Sequence, residues 1–235
     1  MLSIIIPLYN EEARLMDCFS EITQFISENK NTEIIFVDDG STDRSKEIIK
    51  KFTDTNAHFA KLISYKDNQG KGYAVKQGMI HSKGSYKLFS DLDLSTPLSE
   101  IKKLIDLYNK TQTKPCIIIG SRVHADSKVV KQSWARNSMG KVFNFIMKKI
   151  VNLPYLDTQC GFKLFDKKSS DIIFKKLKTK GFSFDVEIIL LAMKNNISVH
   201  EIGVEWVNKD KSKVNMLYHP FKMILELILI KFRTR

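Results

Sequence analysis

Two periods of hydrophobicity alternate along the first 120 residues. The runs LSIII, EIIFV, KLISY, YKLFS and PCIIIG are short and nearly continuously apolar, as in strands buried on both faces. Between them, Leu15, Cys18, Phe19, Ile22, Phe25 and Ile26 repeat at helical spacing, and TDRSKEIIKKF, GYAVKQGMIHS and SEIKKLIDLYNK read as further helices. Strand and helix alternating with short connections predict an α/β fold with a mostly parallel central sheet flanked by helices on both faces. No internal repeat or low-complexity linker interrupts the pattern, so residues 1 to about 210 are expected to form one domain.

In open sheets of this kind, ligands lie beyond the carboxyl ends of the strands. Here those ends are polar: PLYNEE (Pro7–Glu12), VDDGSTD (Val37–Asp43), KDNQGKG (Lys66–Gly72), SDLDLS (Ser90–Ser95) and GSR (Gly120–Arg122). Five strands therefore aim acids, amides or cations at one crevice.

Composition adds bounds. At 235 residues with 43% hydrophobic and 10% aromatic content, the chain can bury a substantial core. The N-terminal stretch lacks a positively charged n-region and Pro7 breaks its apolar run, so neither a signal peptide nor a transmembrane helix is expected there. Cys18, Cys116 and Cys160 lack CxxC spacing and are expected to be reduced, packed thiols. The net charge of +12 is uneven: residues 1–100 carry 12 Lys/Arg against 15 Asp/Glu, and residues 101–235 carry 26 against 11. The second part is thus expected to face an anion: nucleic acid, an anionic leaflet or a phosphorylated substrate. Nucleic acid is disfavoured, because no aromatic-basic interleaving or helix-turn-helix signature accompanies the charge.

Two motifs carry candidate chemistry. If the strand continues through SDLDLS, alternation puts Asp91 and Asp93 on one face and Leu92 and Leu94 on the other, where the carboxylates repel unless a cation lies between them. The alternative is a solvated strand end, or a cap for a helix opened by Thr96 and Pro97. In NQGKGYA, Gly70, Lys71 and Gly72 stand where a helix starts, and backbone N–H groups with a lysine there suit a phosphate; a tight turn with a solvated lysine is the other reading. Neither a G-x-G-x-x-G after the first strand nor a P-loop is present, and His81, His124, His200 and His219 show no metal-ligand spacing.

Together PLYNE, VDDGSTD, NQGKGYA, the DxD-type DLDLS, GSRVH, DTQCGFKLF, FSFDVE and EIGVEW with the later SK resemble the family 2 glycosyltransferases of the GT-A fold, and within them the dolichyl-phosphate (polyprenyl-phosphate) glucosyltransferases. The resemblance runs from Ser3 to about Lys213 and implies a GT-A nucleotide-diphospho-sugar transferase domain over residues 1–213. It implies that Pro7, Tyr9 and Glu11 form the first nucleotide loop, that Asp38 and Asp39 reach base and ribose, and that Gly70, Lys71 and Lys213 also serve the nucleotide sugar. Asp91 and Asp93 would hold Mg2+ or Mn2+ against the diphosphate, with Asp93 counted as catalytic. Arg122 and Arg136 match arginines used for an acceptor phosphate, with a basic surface loop as the other reading, and Asp157 is the candidate base or orienting group, or else anchors its own loop. Asp185 and Glu187 fit a structural role equally well. Two departures stand out: Ser95 where related mannosyltransferases often carry Gln, and Leu92 in place of a small residue.

The implied reaction is metal-dependent, inverting transfer of a hexose, glucose by the resemblance, from a UDP-sugar to polyprenyl phosphate. Another donor such as GDP-mannose, or a polysaccharide acceptor, is the alternative. A lipid acceptor implies a peripheral protein on the cytoplasmic face of a membrane. Two stretches offer a surface for that contact. Ser138–Tyr155 places Met139, Val142, Phe143, Ile146 and Ile150 at helical spacing, and residues 214–235 are expected to form an amphipathic, interfacial helix with Phe221, Ile224, Leu225, Ile228 and Phe232 beside basic residues. Packing on the core, or on a second copy of the chain in a homo-oligomer, is the alternative for the first stretch.

Overall fold

β1 (Leu2–Leu8) is buried along its whole length, and its side chains alternate between two apolar layers. Ile4, Ile6 and Leu8 face the layer built by α1 (Leu15–Glu28), α2 (Ser45–Thr55) and α4 (Ile101–Lys110), while Ile5 faces the layer of α3 (Lys71–His81). Each fully buried Ile or Leu contributes about 1.5–3 kcal/mol, so a strand loaded on both faces must lie centrally. The computed structural model describes residues 1–130, 151, 153–209 and 226–233.

β2 (Thr32–Asp38), β3 (Ala60–Ser64), β4 (Tyr86–Ser90), β5 (Cys116–Ser121), β7 (Phe162–Asp166) and β8 (Ser198–Gly203) complete a seven-stranded sheet of order β3-β2-β1-β4-β7-β5-β8. Every pairing is parallel except those of β7, which runs antiparallel to both β4 and β5. β6 (Lys128–Val130) and β9 (Glu205–Val207) form a small parallel pair. α5 (Lys167–Lys176) and α6 (Phe184–Lys194) join α3 on its face.

This topology places the site. β1 and β4 are neighbours reached from opposite directions of winding, and their pairing stops at Ile5–Phe89, so the chain diverges beyond it and opens a crevice. Because β7 is reversed, its first residue, Phe162, sits beside Ser90 at the end of β4. The loop before β7 is thereby brought to the same edge as the ends of the parallel strands. The expected elements up to residue 120 are all present. All three cysteines are buried and free.

The helical residues 226–233 bury Leu227 and Ile230 in the α3 layer and expose Ile228, Leu229 and Phe232, the last two at 60% and 69%. One side of this helix is therefore anchored on the domain, and Arg233 Nη2 donates to Thr179 Oγ1 at 3.2 Å. Most of the Ser138–Tyr155 stretch, and Phe221, Ile224 and Leu225, lie outside the described residues.

Candidate active site

Three loops lock together before any ligand is considered. Asn10, at φ +54°, accepts from Thr42 N at 2.7 Å and Asp43 N at 3.2 Å, stapling the end of β1 to the loop after β2. Asp38 is fully buried and accepts from Ser41 N and Ser64 Oγ. Asp39 accepts from Tyr65 OH at 2.7 Å, Gln69 N at 2.9 Å and Gly70 N at 2.8 Å. Burial, and then the Asp39 carboxylate, push the Tyr65 hydroxyl well above the ordinary phenol range, which keeps it a donor. Asp38 and Asp39, expected at base and ribose, thus also build the loops that shape this end of the crevice. Tyr9 is 41% exposed beside them, and Glu11 pairs with Arg14 at 3.5 Å.

α3 starts at Lys71 as the spacing predicts, but two of the backbone donors expected of a phosphate cradle are already engaged. Gly70 N is committed to Asp39, and Gly72 N donates to Lys180 O at 2.8 Å. Gly70 has φ +103°, and a Cβ there would stand 2.5 Å from Lys180 O, so this turn requires glycine and packs against the 179–184 segment. The Lys71 side chain instead reaches Asp91, Nζ to Oδ1 2.6 Å. Burial disfavours the ammonium, yet the carboxylates of Asp91, Asp185 and Asp93 outweigh it and raise its pKa.

Asp91 and Asp93 are not arranged by strand alternation. β4 ends at Ser90, and residues 91–94 form a turn in which Leu94 N donates to Asp91 O at 3.2 Å. Leu94 takes φ +47°, a left-handed conformation costing a leucine about 1–2 kcal/mol; its burial at 2% exposure, worth about 1.5–3 kcal/mol, offsets that cost. Asp93 Oδ1 accepts from Ser95 N at 2.9 Å. Thr96 and Pro97 lead into a short 3-10 turn, Leu98–Glu100, with no side-chain cap, so the capping explanation of the acids fails as well. A small cavity of about 10 Å³ is lined by Ser90, Asp91, Asp93, Ser95, Thr96, Gly161 and Trp206. Gly161 lies directly under Asp91, where an added Cβ would fall 2.0 Å from Oδ2.

These donors suit Mg2+ or Mn2+: two carboxylates beside the Ser95 and Thr96 hydroxyls are hard oxygen atoms. Among the described residues no group of three or more His, Cys, Asp and Glu suited to a metal exists. A cation held here would thus find two carboxylates among the described residues, with further ligands to come from elsewhere.

Arg122 stands just past β5. Its Nε and Nη2 donate to Asp157 Oδ2 and Oδ1 at 2.7 and 2.9 Å, and its backbone N donates to Oδ2 at 3.0 Å. Asp157 is wholly buried; burial raises its pKa, but Arg122 overrides this and holds the carboxyl below the usual range. So engaged, it is suited to orienting Arg122 and unsuited to taking a proton. Glu201 accepts the N–H groups of Leu156 and Asp157 at 2.8 and 2.7 Å, which shows how EIGVEW braces the DTQCG loop. The Trp206 ring lies 5.9 Å from the Arg122 guanidinium. Arg136 and Lys213 lie outside the described residues.

Sequence reasoning did not single out Lys163, Gly161, Trp206 or Tyr65. Lys163 has no solvent exposure; its Nζ contacts Asp185 Oδ1 at 2.5 Å and Cys160 O at 2.6 Å. A lysine inside the apolar run GFKLF was the available signal. Glu187 accepts from Thr179 N at 2.7 Å, a structural role.

Residues 3–174 match the family described as Glycosyl transferase family 2. The dolichyl-phosphate beta-glucosyltransferase of Saccharomyces cerevisiae is 37% identical, covering 98% of this chain and 74% of the relative. The protein of that name from Homo sapiens is 30% identical, covering 99% and 75%. In fold, the chain resembles Mycobacterium tuberculosis glucosyl-3-phosphoglycerate synthase in complex with Mn2+, UDP-glucose and phosphoglyceric acid, at TM-score 0.68 and 15% identity over 100% of this chain and 79% of the other.

Proposed function

The chain belongs to glycosyl transferase family 2 and is a glycosyltransferase; from that premise we propose that it transfers glucose from a UDP-sugar to a polyprenyl phosphate, inverting the anomeric carbon, with Mg2+ or Mn2+ at Asp91 and Asp93. One observation carries the reading: an acid pair with an adjacent lysine shares a cavity with Trp206, whose ring lies 5.9 Å from the guanidinium of an arginine clamped by a buried acid. A donor diphosphate suits the first and an acceptor phosphate the second. The likeness to dolichyl-phosphate beta-glucosyltransferases over nearly the whole of this chain and about three quarters of theirs supports glucose and the lipid.

A phosphate monoester is anionic near neutral pH, so the attacking oxygen needs no base. That agrees with Asp157 being engaged by Arg122. Arg122, its fork fixed on Asp157, presents its remaining guanidinium edge to the acceptor phosphate, with Arg136 as the second arginine. The acceptor oxygen forms its bond to C1 as the bond from C1 to the diphosphate oxygen breaks; the electron pair leaves on UDP, and a single displacement inverts C1. Lys71 balances charge growing on the departing phosphate. A divalent cation bound at Asp91 and Asp93 would supply further neutralisation of that leaving group. Pro7, Tyr9, Glu11, Asp38 and Asp39 frame the nucleotide, with Lys213 assigned to the diphosphate.

Approach to the lipid is served by Ile228, Leu229 and Phe232, which form one exposed apolar face with Arg233 alongside. Among the described residues no helix is long and apolar enough to cross a membrane. The test is incubation with Mn2+, short-chain polyprenyl phosphate and a panel of radiolabelled nucleotide sugars, followed by organic extraction. Label from UDP-glucose should enter the organic phase and vanish with Asp93→Asn. Label that stays aqueous with every donor would overturn the reading.

A further inference from the structure

The Lys71 ammonium stands 2.6 Å from Asp91 Oδ1, within the space a divalent ion needs if Asp91 is one of its two protein ligands. Its seat is built. The rings of Phe89 and Phe182 lie 5.4 and 5.9 Å from Nζ, and the Lys71 and Asp91 side chains are only 28% and 37% exposed. Gly161 packs close against the carboxylate of Asp91, where an added Cβ would fall 2.0 Å from Oδ2. The Asp185 carboxylate also acts on Lys71, while holding Lys163 at 2.5 Å.

An ammonium and a divalent cation cannot share Asp91 without strong repulsion at such distances. We infer that Lys71 is a built-in counter-ion: it occupies Asp91 until a nucleoside diphosphate arrives, then moves to the phosphate oxygens, so that metal and diphosphate load together and neither binds well alone. The inference rests on Asp91 and Asp93 being metal ligands, as proposed above. The diphosphate satisfies both cations at once: it gives Lys71 new oxygen partners and completes the shell that two carboxylates leave open. Thermodynamic linkage then requires the coupling to be reciprocal.

The test is Mn2+ binding to the full chain, followed by the paramagnetic resonance signal of free Mn2+, with and without UDP, in wild type, Lys71→Met and Lys71→Gln. Circular dichroism identifies folded variants. Wild type should bind Mn2+ weakly alone and about tenfold or more tighter with UDP, within the usual range of coupling between sites. The folded variants should bind Mn2+ alone about tenfold tighter than wild type and lose most of the UDP effect. Variants that bind Mn2+ alone no tighter than a wild type that keeps its UDP effect would overturn the counter-ion role and leave the metal assignment standing. Wild type that takes up no Mn2+ even with UDP would overturn both.

Discussion

Replacing Gly161 with alanine should disable the site without unfolding the protein. Gly161 is not among the glycines at positive φ, so its backbone accepts alanine. The obstacle is Asp91: the new Cβ would stand 2.0 Å from Oδ2, 2.4 Å from Cγ and 2.8 Å from Oδ1, against ordinary contacts of 3.4 Å or more. The carboxylate must retreat by more than 1 Å, or the turn that carries it must shift, and Asp91 N is itself bonded to Gly161 O at 3.1 Å. Overpacking of this kind costs about 1–3 kcal/mol of stability. A misplacement of about 1 Å at a reacting centre costs about a hundredfold in rate. The expected result is a fall of about two decades in kcat/KM by the organic-extraction assay, with a urea midpoint only modestly lowered. In Gly161→Ala/Asp91→Ala the clash is gone, so stability should recover while activity does not. Gly161→Ala with activity within a few-fold of wild type would refute the placement of Asp91 at the centre of the chemistry.

Asp157→Asn should cost about 3 kcal/mol at pH 7 by leaving Arg122 without its anion. Because folding lowers the Asp157 pKa, that difference should be complete above the ordinary carboxylate range of about 4 and fade as pH falls through the native value, as read from urea unfolding across pH. Its pH–rate profile should drop in height and keep its shape; loss of a limb would assign Asp157 a proton. Lys163→Met should destabilise by about 3–5 kcal/mol, since it strands the buried Asp185, and Lys163→Met/Asp185→Leu should recover much of that in the same titration. No recovery would show that Asp185 has a further essential partner. Leu229→Ser with Phe232→Ser should reduce cosedimentation with anionic vesicles and leave thermal stability nearly unchanged, since both side chains are more than half exposed. Unchanged cosedimentation would move the lipid contact elsewhere.

The alternating elements were legible because β1 to β5 and α1 to α4 carry strong, short-range periodicity. The reversed β7 was not, because FKLFD reads alike in either direction and only its long-range pairing with β4 and β5 sets its sense. The acids at the end of β4 are legible from spacing, but whether the strand continues through them is not: β4 stops at Ser90 and Leu94 in a left-handed turn overrides the period of two. Nothing local links Arg122 to Asp157: their bidentate contact arises only when the fold joins residues 35 apart. Likewise the backbone donors at Gly70 and Gly72 looked available because their acceptors, Asp39 and Lys180, come from distant loops.

Calorimetric titration of UDP into the wild-type protein, once with Mn2+ and once with a chelator, tests the central claim most directly. The account predicts binding with Mn2+ that is lost in chelator and in Asp91→Asn and Asp93→Asn. UDP binding of equal strength with and without the metal would contradict it.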